Sequence, residues 1–377
     1  MRNLIVDEDT CRRSDVARRD SAGGSSSDNV RTARRRCEIV DLRRALQGKI
    51  SSNEIFCGLE IVSASRPSGF YQRLLEEMGK YSPLFYALTW HEEAPADTEN
   101  YLPLNLLENF PSNTLLHLAA KSFKRDEVIR ISRKALALGT INIFALRGDS
   151  LSEDGDFKHA ADLVAFIREQ FGGTFCICVA GYPQMHPESP SRELDLLYLK
   201  AKVDAGADFI ITQICFESQA IIDFVNDCRK IGIRVPIVLG IFVPMSYECL
   251  ERMASICKLD VPVKIKDDLS RVRDNDEAVT KFAVDLAMQI MTDVIRSGVT
   301  RGFHLFTLNR MFKCIENVDG VQKAQEIPTH NLISFSFHFH VEHWRITIRK
   351  LATNYFTCSY IVFILQVFMF EIYTICI

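Results

Sequence analysis

The sequence predicts an α/β fold, a (β/α)8 TIM barrel with a disordered N-terminal tail and an irregular C-terminal tail. Two observations lead there. Eight short runs of β-branched and aromatic residues alternate with amphipathic helical runs, and most repeats are about 30 residues long. The 377 residues, 47% hydrophobic and 25% charged, are enough for one such barrel plus tails. A doubly wound sheet is the structural alternative, but eight β-then-α units match the barrel better.

The expected barrel runs over 46–315. Its strand candidates are Ile55–Val62, Leu84–Thr89, Thr114–Leu118, Ile141–Leu146, Thr174–Ala180, Asp208–Gln213, Pro236–Phe242 and Phe303–Leu308. The clearest helix is Asp126–Leu138, with Val128, Ile131, Ala135 and Leu138 on one face. Ala160–Phe171, Glu193–Ala205, Ser218–Ile231 and Glu277–Ser297 are the others. Gly139, Gly206, Gly232 and Gly298 follow helical runs, where a left-handed residue ends the helix. The charged stretch Lys264–Asp276 is expected to be a surface loop.

Outside the barrel the pattern is lost. Residues 1–45 are expected to be a disordered tail, rich in Arg, Ser and Asp around Gly23-Gly24-Ser25-Ser26-Ser27. Arg18-Arg19-Asp20-Ser21 would suit a basophilic kinase, though a solvated basic tail is the preferred reading. Residues 316–377 carry no clean period and are expected to be an irregular end. Tyr360–Ile377 is apolar apart from Gln366 and Glu371 and barely long enough to span a bilayer; Glu371 would be costly there, so no membrane anchor is expected. His338, His340 and His343 lack a partner Cys or carboxylate at ligand spacing, so no metal site is expected.

The net charge of −3 gives no electrostatic case for nucleic acid. The 12 cysteines include no CxxC pair, and Cys176 and Cys178 share one strand face in an apolar run. Such usage, with no apolar signal run at the start, predicts a reduced, cytoplasmic protein.

Chemistry in a barrel gathers at the C-terminal ends of its strands. There the sequence places Glu60, Thr89-Trp90-His91, His117, Arg147-Gly148-Asp149, Gly181-Tyr182-Pro183 leading to His186, Thr212-Gln213 and Thr307-Leu308-Asn309-Arg310. Each has a plainer reading. Glu60 could pair with a buried Arg, His117 could be a core histidine, Arg147 and Asp149 could form a loop salt bridge, and Gln213 could bond the barrel backbone. Their common end favours a site, because structural accidents would scatter to both ends. A carboxyl among apolar neighbours favours its protonated form, which suits a general acid. Glu60 and Asp149 could thus divide the roles of proton donor and fixed negative charge.

Several of these motifs, in order and with matching spacing, resemble the methylenetetrahydrofolate reductase family. They are Phe144-Ala145-Leu146-Arg147-Gly148-Asp149, Val179-Ala180-Gly181-Tyr182-Pro183 with His186-Pro187-Glu188, Lys202 to Gln213, and Phe306-Thr307-Leu308-Asn309-Arg310. Thr89-Trp90-His91 is similar to the animal form, and the resemblance covers about residues 50–312. It implies a barrel that binds FAD and reduces 5,10-methylenetetrahydrofolate to 5-methyltetrahydrofolate, with NADPH the usual donor in animals. It implies Glu60 as the acid that protonates the folate, and Asp149 as the charge that stabilises the cation so formed. Gln213, Phe306 and Arg310 fall on folate-side positions, with Asp149 shared. Thr89, Trp90, His117, Arg147, Gly148, Asp149, His159, Ala160, Tyr182, His186, Asp195 and Lys202 fall on flavin-contacting positions. A homo-oligomer is a further expectation. The alternative is a degenerate flavin- or folate-binding partner of a full-length reductase. A metal-dependent aldolase would need converging ligands that the strand ends do not offer.

The chain departs from the family in places. The family's Glu-Phe-Phe-Pro-Pro becomes Glu60-Ile61-Val62-Ser63-Ala64, a family Tyr becomes Phe306, and another becomes His159. Residues 118–120 read Leu118-Ala119-Ala120 in place of Leu or Met followed by Thr-Cys, and Gly240-Ile241-Phe242-Val243-Pro244 displaces a proline by one position. Residues 320–377 do not resemble the regulatory domain that binds S-adenosylmethionine in eukaryotic members, so feedback through it is expected to be absent.

Overall fold

In this computed structural model the described residues are 39–89, 102–148 and 155–309. Eight strands, β1 (Phe56–Val62), β2 (Phe85–Thr89), β3 (Thr114–Ala119), β4 (Asn142–Leu146), β5 (Cys176–Gly181), β6 (Phe209–Thr212), β7 (Ile237–Phe242) and β8 (Gly302–Phe306), form a closed barrel in chain order. Every neighbouring pair is parallel, and β8 closes on β1 with His304 opposite Gly58. Each strand overlaps its expected run, and the barrel rather than the doubly wound sheet is the observed topology.

The helices are α1 (Leu42–Ser51), α2 (Phe70–Gly79), α3 (Leu102–Leu107), α4 (Arg125–Ala137), α5 (Ala160–Phe171), α6 (Arg192–Asp204), α7 (Ser218–Lys230), α8 (Tyr247–Cys257), α9 (Val263–Ser270) and α10 (Asp276–Ser297). Their starts are chemically specified. Ser191, Ser246 and Asn275 each accept a backbone N–H of the following first turn, at 3.3, 3.1 and 3.1 Å. The four glycines expected to end helices all hold positive φ, Gly298 after α10 at 74°.

Period-two alternation splits the strand residues between two cores. Outward side chains such as Leu59, Ile61, Leu116, Ile143, Val179 and Leu239 pack under the helices. Inward side chains, among them Phe85, Leu115, Phe144, Cys176, Cys178, Phe209 and Val238, fill the barrel axis. Burial pushes the thiols of Cys176 and Cys178 well up. Bulky inward rings require gaps opposite them. A Cβ on Gly58 would stand 2.1 Å from the Phe85 ring, and one on Gly240 would stand 2.2 Å from the Thr212 carbonyl.

Helix α1 closes the N-terminal end of the barrel. Its Leu42 and Leu46, one turn apart, join the axial core. The Asn142 carboxamide holds it there, accepting from Leu42 N at 3.0 Å and donating to the Val40 carbonyl at 3.0 Å. It begins at Leu42, inside the stretch 1–45 expected to lie outside the barrel. The expectation of a loop at Lys264–Asp276 is corrected: α9 occupies Val263–Ser270. Its charges mask an i, i+4 pair, Ile265 and Leu269, that packs beside Ile214, Phe216, Phe242 and Leu250. Among the described residues no helix is long and apolar enough to cross a membrane. Residues 1–38 and 310–377, with the kinase-like and three-histidine motifs, lie outside the described residues.

Candidate active site

The C-terminal ends of β1, β2, β3 and β8 bring Glu60, Thr89 and His117 together. Glu60 points into the barrel and is 4% exposed. Its Oε2 accepts the backbone N–H groups of Thr307 and Leu308 at 3.0 and 3.1 Å. Thr89 Oγ1 lies 3.4 Å from Glu60 Oε1 and 3.4 Å from His117 Nε2. The His117 ring stands edge-on to Phe144, with centroids 4.7 Å apart. No buried Arg pairs with Glu60 among the described residues. Two N–H groups aimed at one oxygen complement a negative charge there and leave Oε1 as the oxygen facing Thr89.

The loop after Glu60 lacks the family's prolines but is tied in another way. Ser63 donates twice to the Thr89 carbonyl, from N and from Oγ, each at 2.8 Å. The Tyr71 hydroxyl accepts from Ala64 N and donates to the Ala64 carbonyl, each at 2.7 Å. The loop is thus tied by hydrogen bonds to the Tyr71 hydroxyl of α2 and to the Thr89 backbone carbonyl of β2.

A second group forms beyond β4 and β5. Arg147 pairs with Glu188 at 2.6 Å, and this contact holds the Glu188 carboxyl down at about 2. The Tyr182 and His186 rings meet edge-on, centroids 4.7 Å apart. Burial, then the nearby Arg147 charge, lowers the proton affinity of His186. On α6, Lys202 donates to the Ala180 carbonyl and places its ammonium 5.8 Å from the Tyr182 ring centroid. Burial lowers the Lys202 ammonium to about 8, against an opposing pull from Asp195. Asp195, two turns earlier on α6, is raised by its own burial while Lys202 and the His186 backbone pull it back. Among the described residues no carboxylate closes a salt bridge with Lys202. An ammonium so placed suits an anionic ligand oxygen.

The remaining expected residues are placed as follows. Gln213 folds back on the chain, its Oε1 accepting from Ile214 N at 2.8 Å. Phe306 stands edge-on to His304, 4.9 Å between centroids. Gly148 holds φ 87° just after β4. His159 and Ala160 start α5, where the Asp162 carboxylate accepts the His159 N–H at 2.9 Å. Trp90, Asp149 and Arg310 lie outside the described residues, so an Arg147–Asp149 bridge stays open while Arg147–Glu188 is observed.

Three groups contribute to the site without a signal in the sequence that singles them out. Glu188 stands in the sequence only as part of a motif, and the fold makes it the partner of Arg147. Asn309 was seen only as part of Thr307-Leu308-Asn309-Arg310, although its side chain clasps Val62. His304 lies fully buried one layer beneath Glu60, stacked on Phe85 at 5.7 Å; neither ring nitrogen has a well-aligned hydrogen-bond partner among the described residues, and the Gly58 backbone only partly opposes the effect of burial. Burial pushes its imidazole down to about 3.

Residues 48–318 match the family model described as methylenetetrahydrofolate reductase. A probable methylenetetrahydrofolate reductase (NADPH) of Caenorhabditis elegans is 34% identical, over 71% of this chain and 42% of the relative. A methylenetetrahydrofolate reductase (NADH) of Arabidopsis thaliana is 35% identical, over 63% of this chain and 43% of the relative. A 5,10-methylenetetrahydrofolate reductase of Pectobacterium carotovorum is 31% identical over 63% of this chain, and 79% of that shorter relative is covered. The chain thus spans less than half the length of the nematode and plant relatives. Among solved structures, a Clostridium thermocellum protein that binds two copies of 5-methyl-5,6,7,8-tetrahydrofolic acid shares the fold, with TM-score 0.54 and 14% identity, over 74% of this chain and 99% of that one.

Proposed function

The chain belongs to the methylenetetrahydrofolate reductase family, and from that premise we propose that its barrel reduces 5,10-methylenetetrahydrofolate to 5-methyltetrahydrofolate with FAD and NADPH. One observation carries the reading: an acid at the barrel mouth, Glu60, whose Oε2 is fixed by two N–H donors. Opening the five-membered folate ring needs a proton delivered to nitrogen, and Glu60 is the acid placed at the mouth to deliver it.

The residues present fit FAD. Lys202 offers an ammonium without a salt-bridge partner among the described residues for a phosphate oxygen, and Asp195 an acceptor for a hydroxyl. Tyr182, His186, Gly148, Arg147, His159 and Ala160 complete the flavin-side set, with Thr89 and His117 between it and Glu60. Bound FAD supplies the hydride, which no side chain of the chain can carry. Asp149 provides the fixed negative charge beside the cation formed once the ring opens, and Gln213, Phe306 and Arg310 hold the folate. The donor is proposed as NADPH, although the relatives' names divide between NADPH and NADH.

The test is anaerobic visible absorption of the full 377-residue chain reconstituted with FAD. Bleaching by NADPH followed by recovered colour on adding methylenetetrahydrofolate is the expected result. Folded protein that takes up no FAD, or reduced protein that methylenetetrahydrofolate cannot reoxidise, would overturn the proposal.

A further inference from the structure

The turn that follows β8 is held by an arrangement that ordinary strand closure does not need. Leu308 and Asn309 both take left-handed φ, 50° and 59°. Leucine rarely does so, and the strain must be held by its surroundings. The holding contact is Asn309. Its Oδ1 accepts from Val62 N at 2.9 Å, and its Nδ2 donates to the Val62 carbonyl at 2.7 Å. Thr307 Oγ1 tightens the turn, donating to the Glu60 carbonyl at 2.8 Å and accepting from Asn309 N at 3.1 Å. The turn so fixed presents the N–H groups of Thr307 and Leu308 to one oxygen, Glu60 Oε2, at 3.0 and 3.1 Å. Neighbouring backbone N–H groups in such a turn form an anion-binding hollow.

We infer that Asn309 is a positioning residue for the acid: by clasping Val62 it holds the Thr307–Leu308 hollow against Glu60 Oε2, where negative charge appears when Oε1 gives up its proton. The inference rests on the proposed role of Glu60 as acid. The proton leaves Oε1 for the folate nitrogen, the carboxyl becomes a carboxylate, and the hollow receives the charge without rearrangement. Among the described residues, the inward titratable side chains on the strands around Glu60 are His117 on β3, reached through Thr89 of β2, and His304 on β8, opposite Gly58. Asn309 itself does not titrate, so its removal acts through geometry alone.

The test uses three variants of the full chain. Asn309→Gly deletes the clasp yet adopts the left-handed turn freely. Thr307→Val deletes the hydroxyl but keeps the N–H, and Thr307→Ser restores the hydroxyl. Two readouts are taken: the pH midpoint of the Glu60 carboxyl infrared band in FAD-free protein, assigned by its loss in Glu60→Gln, and the alkaline limb of the folate half-reaction in FAD-loaded protein. Asn309→Gly and Thr307→Val should each move both upward by about one pH unit, because losing aligned donors disfavours the carboxylate. Thr307→Ser should match the parent. Unchanged midpoints in folded Asn309→Gly would overturn the inference. If the parent reduced no folate, the function proposal would fail, while the infrared midpoint would still decide whether the clasp governs Glu60.

Discussion

Thr89 Oγ1 stands 3.4 Å from Glu60 Oε1, on the side of the carboxyl away from its two backbone donors. The two carboxyl oxygens therefore have different surroundings, one anchored and one beside a rotatable hydroxyl that also reaches His117. Thr89→Val should keep the fold but slow the folate half-reaction about tenfold, with Thr89→Ser near the parent rate. Single-turnover rates check this. Equal rates in the Val and Ser variants would show that the hydroxyl is idle.

Lys202 gives a pH dependence with a defined sign. Its ammonium is lowered to about 8, so it is charged below that pH and neutral above it. FAD should therefore bind more weakly as pH rises through about 8, since the phosphate loses its cation. Lys202→Met should weaken FAD about ten- to a hundred-fold at pH 7 and remove that dependence. Fluorescence titration of FAD at pH 6.5 and 9 measures both effects. A parent affinity constant across that range would exclude the phosphate role.

His304 couples stability to acid. Its folded imidazole sits at about 3, below the ordinary value near 6.5 of an unfolded histidine. The unfolded chain therefore binds this proton first as pH falls. Through this group acidification costs the folded state stability, starting below about 6.5 and complete by about 3, on the order of 5 kcal/mol in all. His304→Phe keeps a ring beside Phe85 and Phe306 and removes two buried nitrogens that have no well-aligned partner among the described residues. Its stability at pH 7 should equal or exceed the parent's, and its decline between pH 6.5 and 4 should be shallower. Chemical denaturation at several pH values tests this; parallel declines in the two proteins would rule it out.

Gly58→Ala should cost roughly 1–3 kcal/mol by overpacking, because the new methyl would overlap the Phe85 ring. Phe85→Leu in the same chain should recover part of the loss. Denaturation midpoints of the single and double variants decide the matter, since the recovery requires coupling between these two sites.

What the sequence made legible follows from where its signals are local. Each strand is a short apolar run bounded by turn residues, so all eight were found within a few residues. Helices with one long apolar face, such as α4 and α10, were equally plain. Helix α9 is hidden because Ile265 and Leu269 are its only buried side chains amid four charges. Helix α1 was hidden for a similar reason, since only Leu42 and Leu46 are buried. At the site, polarity at strand ends revealed Glu60, Thr89 and His117, whose side chains do the contacting. The Thr307–Leu308 hollow is not legible because it is made of backbone N–H groups, which residue type encodes only weakly, and Asn309 is not because its carboxamide clasps the backbone of Val62, 247 residues away in sequence. Glu188 escaped because its partner lies 41 residues away in sequence.

The central claim, that Glu60 is the proton donor of a flavin-dependent folate reductase, is tested most directly by separating the two half-reactions in Glu60→Gln. Anaerobic stopped-flow absorbance would follow the FAD-loaded variant first with NADPH and then with methylenetetrahydrofolate. Near-parental bleaching by NADPH and a folate step slowed by about a thousandfold are expected, because only that step takes the proton. A folate step at the parental rate would contradict it and remove Glu60 from the role of acid.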